Sequence, residues 1–157
     1  MSLIILSQKI ESQEEILKNV ALASIKANLR FVINENSITA LNAIEVYIDR
    51  NYGQVPIENL ECFSMDIHSE EYVRKQFDME LSFFMVNSLK HYTLGGTNQA
   101  EHDHLIYDFS LEYLKLKPDN CISLYGETVF FLEDMEKFES DGGYYKGWYF
   151  KKRDSQI

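Results

Sequence analysis

QAEHDHLIYDFSLEYLKLKPDN, residues 99–120, is the stretch on which the reading of the fold turns. Tyr107, Phe109, Leu111 and Tyr113 alternate with Asp108, Ser110 and Glu112, the two-residue period of a half-buried strand. Leu105, Ile106, Phe109, Tyr113 and Leu116 also fit the period of a helix, and Leu, Glu and Lys form helices more readily than strands. Glu101 and Asp103 suit the positive end of a helix dipole, and Pro118 stops a helix. The reading adopted for 99–117 is a helix, with a strand as the alternative.

Upstream, Ser12 is placed to cap free amides and Glu15, three residues on, to reach back, the spacing of a capping box. Ile16, Leu17, Val20, Ala21, Ser24, Ile25 and Leu29 then recur at helical spacing and predict a helix to about residue 32. Asn34-Glu35-Asn36 breaks it. Ser37 restarts a second helix with Leu41, Ile44 and Ile48 inward, stopped by Gly53, so the two should form an antiparallel hairpin. Beyond Pro56, residues 60–67 alternate in part and predict a strand. Ser69 opens a third helix, with Val73, Phe77, Leu81, Phe84, Ser88 and Leu89 inward and Gly95-Gly96 as its end.

Downstream the chain turns β-like. Residues 121–125 and 128–132 are short apolar runs divided by Gly126. Asp141-Gly142-Gly143 predicts a turn, and residues 144–150 an aromatic strand. The expectation is one globular domain, 1–157, of the α+β class. An N-terminal helical hairpin and further helices would pack on a small antiparallel sheet.

Charge is distributed unevenly along this chain, whose formal net charge is −10. Residues 1–50 carry six acids and five bases, whereas residues 51–140 carry seventeen acids and six bases. Folding gains nothing from such an excess, because like charges repel in the compact state. An acidic surface therefore serves solubility or a basic partner. The pI near 4.8 argues against nucleic acid as the main ligand, since phosphate binding needs a basic footprint. The one basic cluster, Lys151-Lys152-Arg153, reads as a solvated tail.

No apolar run approaches the ~18 residues of a membrane span. Leu3 to Leu6 is too short for a signal-peptide core and lacks a basic flank. Cys62 and Cys121 read as two free thiols in a reducing cytosol, with a bridge as the alternative. Cytoplasm is the expected location.

The best catalytic candidate is Glu101-His102-Asp103-His104, whose side chains suit zinc, iron or manganese. On a helix, however, His102 and His104 point about 200° apart, so they would converge on a metal only in a strand or loop. His68 and His91 are the other histidines, and nothing in the sequence brings them near. Gly95-Gly96-Thr97-Asn98 lacks the Lys-Ser or Lys-Thr of a nucleotide loop. Neither cysteine has basic neighbours to lower its pKa, and no Gly-x-Ser-x-Gly turn occurs. No cofactor is expected.

Two features suit a binder better. Glu127, Glu133, Asp134, Glu136, Glu139 and Asp141 place six acids in fifteen residues, with Lys137 alone opposing. They read as a solvated rim or as a surface that steers a cationic partner. In the aromatic stretch, alternation would put Tyr144, Lys146, Trp148 and Phe150 on one face and Tyr145, Gly147, Tyr149 and Lys151 on the other. One face must be core. The other makes Tyr145 and Tyr149 candidate anchors, since Tyr is enriched at interface hot spots.

An acidic α+β chain of this size without a catalytic signature resembles the immunity proteins of bacterial toxin systems. The stretch from Tyr107 to Asn120, YDFSLEYLKLKPDN, is similar to segments of such proteins. The resemblance implies a protein that binds a cognate toxin and blocks its active site or substrate groove. Toxins that act on nucleic acid have basic clefts, which an acidic inhibitor suits. It assigns no binding residues. The expected function is thus a non-enzymatic inhibitor of a basic protein partner, with no direct nucleic-acid or membrane role. A metal-binding enzyme or sensor using His102 and His104, or an acidic mimic of DNA, are the alternatives.

Overall fold

The computed structural model of the chain describes residues 3–34, 43–50, 61–78, 83–97, 102–124 and 128–149. Their elements run β1 (Leu3–Ser7), α1 (Gln13–Lys26), β2 (Arg30–Ile33), β3 (Ile44–Asp49), β4 (Cys62–Ile67), α2 (Glu70–Asp78), β5 (Phe83–Val86) and β6 (Leu89–Thr97). Then follow α3 (Asp103–Leu116), β7 (Cys121–Leu124), β8 (Thr128–Phe130) and α4 (Leu132–Ser140). The strands form one antiparallel sheet in the order β2-β3-β4-β6-β1-β7-β8, with β5 beside β6. The fold is α+β.

One face of this sheet carries the main core. Leu3 and Ile5 of β1, Ile122 and Leu124 of β7 and the alternating Phe63, Met65 and Ile67 of β4 pack with Ile16 and Val20 of α1 and Leu105, Ile106 and Phe109 of α3. The opposite face has a smaller cluster, Leu6, Val86 and Cys121, with Ile4 and Phe84 against it. Both cysteines are free thiols.

Stretch 103–116 is the expected helix. Its inward side is broad, with Leu105, Ile106, Phe109, Tyr113 and Leu114 all fully buried. Ser12 caps α1 as its spacing predicts, accepting from the Glu15 amide at 3.2 Å. The strands at 62–67, 121–124 and 128–130 also lie where alternation and apolar runs put them.

The helical hairpin does not form. The first helix ends at Lys26, and Asn28, at φ 61°, turns the chain into β2. Residues 44–49 of the expected second helix are β3, and Leu41 and Gly53 lie outside the described residues. Ile44 and Ile48, four apart, satisfy a helix and a strand alike. Val46 between them is buried on the same face, so the period is two and the β-branched residues follow their strand preference.

The third helix is likewise shorter than expected. α2 buries Val73 and stops at Asp78; Leu81 lies outside the described residues. From Phe83 the chain is a β-hairpin, turned by Asn87 and Ser88, both at positive φ, so Ser88 and Leu89 are exposed. Gly95-Gly96 ends no helix and opens no phosphate loop, because it sits inside β6 between β4 and β1. The sheet is accordingly larger than the small one expected, and Leu3 to Leu6 supply one of its interior strands.

Candidate functional site

Five of the six acids singled out by the sequence fall on or just after α4, a helix set by Leu132, Met135 and Phe138 at three-residue spacing. Met135 is buried and Phe138 joins the core rim. Periodicity turns Glu133, Glu136, Lys137 and Ser140 outward, and all four are exposed. Asp134 acts locally, its Oδ2 accepting the Phe131 amide at 2.7 Å and so satisfying a free N–H at the helix start. Glu139 lies on the flank, where its Oε1 accepts the Tyr107 hydroxyl at 2.8 Å. Burial, then this bond to a carboxylate, raises the Tyr107 pKa. Asp141 follows the helix and is exposed. Glu127 lies outside the described residues. The run is thus divided between structure and surface: Glu133, Glu136 and Asp141 carry no ion pair among the described residues.

Residues 144–149 form no strand. Gly147 has φ 78°, and the Trp148 amide donates to the Tyr145 carbonyl at 3.1 Å, closing a turn. Trp148 is fully buried against Tyr107, Phe130 and Phe138, with ring centroids 5.0–5.7 Å away. Tyr145 and Tyr149 are half-buried on the core rim, Tyr145 against Phe138 and Tyr149 against Trp148. Tyr145 donates its hydroxyl to the Trp148 carbonyl at 3.3 Å. The exposed aromatic is instead Tyr144, which alternation assigns to the face opposite Tyr145.

Tyr144 joins the acidic helix to a polar cluster at the start of α3. Its hydroxyl donates to Asp103 Oδ1 at 2.8 Å, while Asp103 Oδ2 accepts the Gly147 amide at 3.2 Å. Burial, then the hydrogen bond to Asp103, pushes the Tyr144 pKa up to about 12. Its ring meets those of Tyr107 and His104 at 5.7 and 6.0 Å. His104 Nε2 lies 2.7 Å from Glu61 Oε2, and one helical turn on, Asp108 pairs with Arg50 at 2.6 Å. The hydrogen bond from His104 holds the Glu61 carboxyl below its usual range. Sequence reasoning missed Glu61, Arg50, Asp108 and Tyr144. The four-residue spacing of His104 and Asp108 is the one local signal that they share a helix flank.

His102, just ahead of α3, and His104 meet edge to face with ring centroids 6.0 Å apart, and Glu101 lies outside the described residues. His68 packs on Tyr72, with burial lowering its pKa, and His91 is buried with Nδ1 3.0 Å from the Leu89 carbonyl. Among the described residues no group of three or more His, Cys, Asp or Glu is arranged to hold a metal ion. The Cys62 thiol is raised in pKa, first by burial, which disfavours the reactive thiolate. A cleft of about 380 Å³ opens between the residues after β1 and the end of α3. Its lysines and acids balance: Lys117 pairs with Glu11 at 2.8 Å, and Lys9 and Asp119 are the others on its walls.

No family model, curated protein or solved structure matches this chain. No helix among the described residues is long and apolar enough to cross a membrane. The functional reading rests on the surface alone.

Proposed function

We propose that this protein is a non-enzymatic inhibitor of the immunity kind, which docks a basic partner, a cognate toxin domain, on the outer face of α4. The observation that carries the reading is the exposure of Glu133 and Glu136 on that face, without ion pairs among the described residues. Exposed carboxylates on a regular helix give a fixed pattern of negative charge. Such a pattern speeds encounter with a cationic surface, toward ~10⁸ M⁻¹s⁻¹ at low salt. Asp141 extends the charge past the helix, and Tyr145, packed on Phe138, borders it with aromatic surface. Tyr144 carries the exposed ring, and its tie to Asp103 holds it ready without an ordering cost on binding.

Replacing Glu133 and Glu136 together by lysine tests the surface. Both side chains are exposed, so the circular dichroism of the variant should match the parent, while the thermal midpoint should fall slightly because Glu133 stands in the first turn of α4, at the positive end of its dipole. Capture of a basic partner should be lost. Undiminished capture by the folded variant would remove α4 from the account.

A further inference from the structure

The cleft between the residues after β1 and the end of α3 has no part in the α4 surface. Its volume of about 380 Å³ falls within the roughly 300–1,000 Å³ of small-molecule sites. Its walls come from residues 7–11 and 116–120, which lie inside the continuous described stretches 3–34 and 102–124. Asn120 lines it although only 2% exposed. Both hydrogens of the Asn120 side-chain amide are used, Nδ2 donating to Glu11 Oε2 at 3.2 Å and to the Tyr113 hydroxyl at 3.0 Å. These bonds fix the amide plane and leave Oδ1 as its free polar atom, with no donor among the described residues. An acceptor on so buried a side chain calls for a donor from whatever fills the cleft.

The inner wall favours a cation. Glu11, its side chain 13% exposed, is a second acceptor beside Asn120, and α3 ends at Leu116 with the negative end of its dipole at the cleft. The chain itself shows that this wall takes an ammonium group, since Lys117 Nζ stands 2.8 Å from Glu11 Oε1. The rim favours an anion. Lys9 is exposed and makes no ion pair among the described residues, and its amide is held by Ser7 Oγ at 3.1 Å. With Asp119 as the second acid the cleft is balanced in charge, so a singly charged ligand would leave one sign unanswered.

We infer that this cleft binds a small zwitterion, a free α-amino acid, with its ammonium group at Asn120 Oδ1 and Glu11 and its carboxylate at Lys9. The ammonium supplies the donor that Asn120 lacks and joins Lys117 in satisfying Glu11. The carboxylate gives Lys9 the partner it does not find within the chain. Leu116 and Pro118 add apolar surface for the ligand's side chain. None of these residues belongs to α4, so this site and the proposed docking face stand or fall separately.

Amide proton–nitrogen correlation spectra of the full chain test the inference, titrated with each of the common amino acids and with acetate and methylammonium as the separated charges. Saturable shifts centred on residues 7–11 and 116–120 are expected with one or more amino acids. Acetate or methylammonium alone should bind at least about tenfold more weakly. Lys9→Glu changes an exposed side chain, so the spectrum elsewhere should be kept while amino-acid affinity falls about tenfold or more. No saturable shift with any amino acid up to ~10 mM, equal binding of either separated charge, or an affinity unchanged by Lys9→Glu overturns the proposal.

Discussion

At Gly95 a Cβ atom would stand 2.5 Å from the Asp66 carbonyl oxygen, and at Gly96 it would run into the Leu3 carbonyl on the other side. Both obstacles are backbone, held by β4 and β1, so neither can swing away. Gly95→Ala should therefore cost about 2–3 kcal/mol, the scale of overpacking, read as a lower urea midpoint with unchanged slope. A midpoint equal to that of the parent would mean the strands are further apart than described. From the sequence alone this pair reads as a helix stop, because the need for glycine comes from strands 29 and 93 residues away in the chain. Glu61 illustrates the same limit. Nothing near it in sequence marks it as a partner of His104. The hydrogen bond from His104 lowers its carboxyl pKa, so the bond favours the fold above the ordinary carboxylate range and is lost as pH falls through it. Glu61→Gln should thus be slightly less stable than the parent near pH 6 and converge with it near pH 3, with a gap within about 1 kcal/mol because the pair is half-exposed. A constant gap from pH 6 to pH 3 would assign the effect to packing instead.

Elements with a strong local signal are legible in the sequence. α1 begins where its cap predicts, and Ser12→Ala should cost about 1 kcal/mol in thermal or chemical unfolding. No change would mean the Glu15 amide finds water as readily as the serine oxygen. α3 is legible because its apolar positions exceed what one strand face can hold: Leu105, Ile106, Phe109, Tyr113 and Leu114 are fully buried in one element. Elements whose signal is shared between periods are not. Ile44 and Ile48 fit a helix until Val46 is weighed, and the β5–β6 turn is made by Asn87-Ser88 rather than by glycine. The aromatic run 144–149 has strand composition, yet Trp148 must reach the pocket formed by Tyr107, Phe130 and Phe138, and Gly147 permits the bend. α4 is masked in the sequence because its acids draw the eye as charge, while Leu132, Met135 and Phe138 make only a short stripe.

Across the whole molecule the α+β class is readable, and the acidic excess is plain. Which acids stay exposed is not. Asp134 bonds the Phe131 amide and the exposed Glu139 accepts from Tyr107, which leaves Glu133, Glu136 and Asp141 as the exposed acids of the run without a hydrogen bond or ion pair among the described residues. The most direct test of the central claim is capture of a partner by the pure full chain at low salt and at ~0.5 M salt, where screening shortens to a few ångströms. The account predicts one basic protein, held in stoichiometric amount at low salt, weakened at high salt and lost with Glu133→Lys/Glu136→Lys. A partner bound equally well at both salt concentrations, or none at either, would contradict it.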